Sequence, residues 1–538
     1  MKFSAKIVFA LNILMLILFL PVLFCVIFIG NGMDYNVQMK LTVLLPGFLM
    51  VFIALIGVAV WMFIFSKCRE RQLETKENLI ANILFLASYI LLFLVNIRVA
   101  KEIAFKIPWD ISVVRAFANE YACGRQLGYQ YYLSMYSNNI PITYILGKIL
   151  RKAMEWENYP YVTEFIWIQV NCALLSLGGY FCCLTVKKLT GKILPSVLAF
   201  CMYLVLVGIS PWKIAPYTDT YGLVFPIACI YFYVCYKSCK NNIMKYLCLA
   251  VSFLAGMTGG LIKPSVYIMP IAILCIELTE LISEHKAKWK YVLFEILLAT
   301  VLLFGNKLSK EHMIQEMRFD FNEEIEASWH HYFYMGLNEE ATGGYNSDDV
   351  TMFGEFQTSK SDRNKAEIER AAARLKDRGL GGTLYFWLRK MVMTFNDGTF
   401  GWRSEVWIGD YYLPELADNT EMTQKLRDIF WPNASNMGGY NTLCQLAWIF
   451  CLLGIPGICV CNEENRKKYA VPVVSFIGFF LYQMLFEARA RYLLVCLPLL
   501  IAVSACGIQQ YAIKVREKAK RGNRIGRSKK DTTPKESC

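Results

Sequence analysis

The chain predicts an all-α polytopic membrane protein, with about twelve transmembrane helices and two large extracytoplasmic loops. Three observations carry that expectation. Of 538 residues, 56% are hydrophobic and only 18% charged, against roughly 25% charge in an ordinary soluble domain. Apolar runs of about 20 residues, the length an α-helix needs to cross a bilayer, recur along the chain. The short connections between those runs are strongly basic on alternate sides of the count, which is how lysine and arginine set orientation.

In chain order the expected spans are 7–30, 41–66, 79–97, 161–185, 193–212, 219–236, 245–262, 265–283, 291–306, 441–461, 469–486 and 492–512. The first run is long and lacks a small-x-small cleavage site, so it reads as a retained anchor rather than a signal peptide. The connections "KCRERQLETKEN", "KKLTGK", "KSCKNNIMK", "KAKWK" and "NRKK" each hold at least three basic residues. With the tail from Lys514 they place both termini in the cytoplasm of a multi-pass cell-membrane protein. The expected organisation is two additional leading helices (1–78), a transmembrane core (79–306) whose first outer loop is 98–160, and a large extracytoplasmic cap (307–440). C-terminal helices (441–512) and a basic tail (513–538) complete it.

Charge follows the same plan. The 307–440 loop has 22 acidic and 15 basic residues, a net of −7, whereas the tail has ten basic and three acidic, a net of +7. The overall +13 is therefore a topology signal and a lipid-facing tail, and no nucleic-acid partner is expected. The 19 cysteines scatter through apolar runs without paired spacing and read as small core residues. The stretch 131–153, "YYLSMYSNNIPITYILGKILRKA", is apolar enough to cross. A crossing there would turn five basic connections outward, so an amphipathic interfacial helix is expected instead. "KAEIERAAARLKDRG" predicts a helix with a glycine stop, and "TGGYNSDDV" and "FNDGTFGW" predict turns.

Polar residues that gather at outer helix exits are the candidates for chemistry. Asp110, in "KIPWDISVVRAF", follows a span directly; an ionised carboxylate there can take a proton from a hydroxyl, or it can cap the helix that follows. "SPWKIAPYTDTYGLVFP" brings Tyr217 and Asp219 to a boundary, with a Lys213–Asp219 pair holding a tight turn as the plainer reading. Lys263, in "GGLIKPS", either faces a ligand or snorkels. Glu487, Arg489 and Arg491, in "FEARARYLL", put two arginines where positive charge is disfavoured, and arginine grips phosphate bidentately. His330, beside His331 in "SWHHYFYMG", belongs to a polar, aromatic loop suited to a sugar or lipid; adjacent histidines point apart, so no zinc site is expected. Asn433 opens an "NAS" glycosylation triplet.

These motifs, taken in order over residues 80–512, resemble the GT-C superfamily of integral-membrane glycosyltransferases. The likeness is nearest to bacterial relatives of protein O-mannosyltransferases and aminoarabinose transferases (glycosyltransferase family 39-like). The resemblance implies a GT-C-like fold and transfer of one sugar from a polyprenyl-phosphate-linked donor to an extracytoplasmic acceptor hydroxyl, with inversion. The acceptor would be a glycan, lipid or protein. Asp110 would be the general base, while Lys263, Arg489 and Arg491 would neutralise the departing lipid phosphate. Tyr217 and Asp219 would orient the sugar or the base, with Glu487 and His330 in the substrate site. Two departures from the family pattern stand out. Two helices precede the span before Asp110, and no second acidic residue flanks it, so a divalent metal is not expected and no other cofactor is implied. The alternatives are a polysaccharide polymerase or ligase acting on lipid-linked glycans, and a lipid or solute transporter. A transporter would show inverted repeats and midplane charges, and no repeat is visible.

Overall fold

A computed structural model describes residues 3–29, 45–68, 75–128, 130–155, 164–284, 289–355, 359–408 and 417–530. The regular secondary structure of the described residues is helical, with no strand among them. Parts of the expected basic connections, at 69–74 and 285–288, and the last eight residues of the basic tail lie outside the described residues, as does 156–163 at the end of the first long loop.

Among the described residues, ten helices are long and apolar enough to cross a membrane. The expected spans 193–212 and 469–486 correspond to the shorter apolar helices Leu194–Gly208 and Ala470–Leu485. The first of these loosens into a π-helical turn over Leu204–Gly208 and then meets Pro211. The second ends where Phe486 turns extended. The connection after the second, 487–492, reaches the cavity described below.

Position in the bundle does not follow apolarity: Phe48–Lys67, among the most apolar spans, is 22% buried over its most apolar stretch, and the far less apolar Thr218–Ser238 is 78% buried. Ala490–Lys520 is the central post, with 94% of its most apolar stretch buried, whereas only 11% of that of Trp289–Met317 is buried. The outward face of the latter presents Leu297 and Phe304 at 59% and 61% exposure, a surface that only lipid covers at low cost. The central post is approached closely through glycine. A Cβ on Gly457 would collide with the backbone of Gly507, so both must lack side chains for these helices to touch. The leading helices Phe3–Phe28 and Leu45–Lys67 pack mainly on the C-terminal ones. Phe19 meets Phe476 edge-on at 5.4 Å, and Arg516 donates to the Phe65 carbonyl at 2.8 Å.

The 131–153 stretch is not a span. It forms the short helix Gln130–Met135, a 3-10 turn and the helix Ile140–Glu155, which lays its apolar face on Asp110–Ala122. The cap is built around Lys360–Phe395. Gly379 ends the first helical stretch, as its position predicts: at φ 63° and ψ −179° it is non-helical, a conformation natural to glycine alone. A second helical stretch follows the kink, with Phe386, Lys390, Val392 and Phe395 buried. "TGGYNSDDV" is a turn only as far as Asn346, because Ser347–Val350 opens the helix Ser347–Glu355; "FNDGTFGW" is a turn between Phe395, which ends one helix, and Trp402, which starts the next.

Candidate functional site

Asp110 opens the helix Asp110–Ala122 without capping it. The N-cap is Trp109, which makes no side-chain cap bond. Trp109 has φ 61° and ψ −151°, a region that costs a bulky residue about 1–3 kcal/mol. Three contacts hold it there: its indole donates to the Glu405 carbonyl at 3.1 Å, its ring meets Tyr217 edge-on at 6.2 Å, and the Arg491 guanidinium lies 4.1 Å above it. The strain sits one residue before the carboxylate, and it sets where that carboxylate points. The Tyr132 hydroxyl donates to Asp110 Oδ1 at 2.8 Å. Asn139 donates to the Tyr132 oxygen at 2.9 Å and accepts from the Tyr217 hydroxyl at 3.1 Å. Burial pushes both phenols far above their ordinary value, with the Asp110 charge adding to it. They therefore stay protonated and serve as fixed donors.

Lys263 follows the helix Asn242–Ile262 and precedes Pro264, which starts a 3-10 turn. Its ammonium lies 2.6 Å from Asp219 Oδ1 and 4.1 Å from the centre of the Tyr492 ring. Arg491 Nε is 3.7 Å from the other Asp219 oxygen and 3.6 Å from Glu405 Oε2. Burial pushes the Glu405 carboxyl up, while Arg491 and Arg489 pull it the other way. Arg489 passes so near the cap turn that a Cβ on Gly344 would lie 3.1 Å from its guanidinium carbon. Glu487 accepts from the Tyr492 hydroxyl at 2.9 Å, and its own N–H donates to the Tyr332 carbonyl at 3.0 Å.

The connection bearing these three charged residues is fixed from behind by Lys390. Its buried ammonium donates to the carbonyls of Gly336 at 2.6 Å, Met484 at 3.2 Å and Phe486 at 2.6 Å. Burial pulls Lys390 down to about 7, in opposition to three acceptors that each call for an N–H.

All of this surrounds one cavity of about 680 Å³. Asp110, Tyr217, Lys263, Glu487, Arg489 and Arg491 all line it. Residues brought together from four separate stretches of sequence thus share one volume. Asp219 does not line it; at 2% exposure it lies beneath, as the shared counter-ion of Lys263 and Arg491. Lys213 is not its partner, because the Pro211–Ile214 turn delivers that ammonium to Asn96 Oδ1 at 2.7 Å instead. His330 is elsewhere too. It stacks on Trp329 with ring centres 3.9 Å apart and meets the Ser328 hydroxyl at 2.7 Å, so the loop's histidine is not a substrate contact of this cavity. His331 faces Glu367 at 2.8 Å.

Sequence reasoning missed Trp109, Tyr132, Asn139 and Glu405. The lining itself has a signature. It holds seven tyrosines, two tryptophans and no phenylalanine, in a chain with 35 phenylalanines. Every aromatic wall therefore carries a hydrogen-bonding group. Among the described residues no three His, Cys, Asp or Glu side chains come together as a metal site.

No curated protein and no solved structure matches this chain. A family model described as "conserved hypothetical integral membrane protein" matches residues 1–511, and the chain belongs to that family of integral membrane proteins.

Proposed function

We propose that this protein is a GT-C-like membrane glycosyltransferase, which moves a sugar from a polyprenyl-phosphate donor to an acceptor hydroxyl within the cavity. The observation that supports the reading is the pairing of Asp110 with Lys263 and Arg491 around a single volume. The acceptor O–H would give its proton to Asp110 as its oxygen bonds to the anomeric carbon. The bond from that carbon to the phosphate oxygen breaks, and its electron pair leaves with the lipid phosphate. One displacement of this kind inverts the centre. A base held in place by Tyr132 supplies about 10²–10⁴-fold.

Developing charge on the phosphate meets Lys263 and Arg491, cations already fixed in a water-poor place. They are not idle beforehand. Asp219 and Glu405 occupy them, so a lipid phosphate must compete with two internal carboxylates, and a neutral ligand gains nothing there. In this reading the cavity faces the extracytoplasmic side, both termini face the cytoplasm, and no metal is assigned a role.

The test uses purified protein with polyprenyl-phosphate sugars and candidate acceptors. Asp110→Asn is expected to abolish transfer and to leave binding of the lipid donor intact. Full transfer by that variant would overturn the assignment.

A further inference from the structure

We propose that the mouth of the cavity is an acceptor subsite for an uncharged carbohydrate, stacked on Tyr131, Tyr345 and Trp407. The proposal deepens the glycosyltransferase reading and rests on it for the word acceptor; the binding itself stands on separate observations.

These three residues come from distant parts of the chain: the Gln130–Met135 helix, the turn after Gly343 and Gly344, and the segment after the Trp402–Glu405 helix. All three line the cavity, yet they remain 40%, 48% and 50% exposed. Deeper in, Tyr132, Tyr217 and Tyr492 are hydrogen-bonded within the protein. Leaving large rings in water is unfavourable unless something covers them. The occupant must present flat apolar faces to the rings and hydroxyls to their polar edges.

Other occupants fit less well. An acyl chain would call for aliphatic walls, but only Val113, Met135, Met335 and Val350 supply them, against nine tyrosines and tryptophans. A peptide recognised by strand addition needs a sheet edge, and no strand is present among the described residues. For an anionic polymer the wall sets Asp110, Glu405 and Glu487 against Lys263, Arg489 and Arg491, no net attraction, and the 307–440 segment adds 22 acidic against 15 basic residues. A sugar ring satisfies both demands. Its C–H face lies on an aromatic ring while its hydroxyls reach Asn138 and the Asp110 carboxylate, and this sets the hydroxyl beside the base.

The experiment exposes full-length protein, purified in a sugar-free amine-oxide detergent, to an array of immobilised neutral glycans, anionic glycans and serine- and threonine-rich peptides. We expect retention on neutral glycans, at least a tenfold loss in Trp407→Ala and in Tyr345→Ala, and recovery in Trp407→Tyr, which restores a ring. Thermal melts of each variant separate lost stacking from lost folding, and exposed positions of this kind leave the melt unchanged. Retention on peptides or anionic glycans alone overturns the proposal. So does the absence of neutral-glycan binding, or undiminished binding by both alanine variants. Transfer by Asp110→Asn tests the base, and glycan retention by wild type, Trp407→Ala and Tyr345→Ala tests the subsite, so failure of the base assignment and failure of the subsite are read separately.

Discussion

The helix Thr218–Ser238 has an ion pair at each end, and the two ends differ in kind. At the first, Asp219 holds Lys263 and Arg491 beneath a cavity of about 680 Å³, beside a tryptophan in a costly backbone conformation. Near the last, Lys237 pairs with Glu277 at 2.6 Å and Glu280 at 3.0 Å, and Glu277 also accepts from the Tyr233 hydroxyl at 2.7 Å. Glu277 has no exposed surface. Both ends obey the rule that buried charge must be paired. The first pairs its charges against a cavity, where an incoming anion could replace a partner. Ion pairing alone therefore marks architecture, and pairing against a void marks the candidate site.

The comparison breaks most sharply on catalysis. Loss of the base through Asp110→Asn is expected to reduce transfer by about 10³-fold, measured with donor in excess, whereas Glu277→Gln at the closed end leaves transfer unchanged. Next in size, Arg491→Ala is expected to lower turnover by about 10²-fold and to weaken donor binding in a lipid-phosphate titration. Unchanged binding would place the phosphate elsewhere. The closed end answers in stability. Glu277→Gln is expected to cost about 2 kcal/mol in denaturant unfolding, less than the ~3–5 kcal/mol of a stranded buried charge, because Lys237 keeps Glu280.

The smallest effect is one of pH. Burial alone would raise the Glu326 carboxyl, but the Lys310 and Lys360 ammoniums and the Ser137 hydroxyl hold it at about 2 instead of 4.5. The folded form thus releases this proton more readily than the unfolded one. Its contribution is complete above pH 4.5 and lost as pH falls through about 2. A melting series over that window is expected to fall in the wild type and to flatten in Glu326→Gln.

Much of this was legible in the sequence. Each expected span corresponds to a helix, because about 20 apolar residues leave a chain few alternatives. Asp110, Tyr217, Lys263, Glu487, Arg489 and Arg491 were visible as polar residues at helix exits, where composition makes them conspicuous. Asp219 was visible too, but its depth was not, since one residue along a helix decides between lining a cavity and lying under it. Glu405 was hidden because it follows a turn in a segment already rich in acids. Tyr132 and Asn139 were hidden because the apolar face of their stretch drew attention to its surface. His330 misled because a histidine's worth depends on its rotamer and neighbours, which no spacing records.

Lys390 ties the cap to the bundle through three carbonyls, one from the cap turn, one from the last turn of the helix Ala470–Leu485 and one from the connection leading to Glu487. The cap is consequently no detachable lid. Excising it would free the Met484 and Phe486 carbonyls and release the arginines that follow them. A protein trimmed to its helices would keep its place in the bilayer and lose its grip on anything it was built to hold.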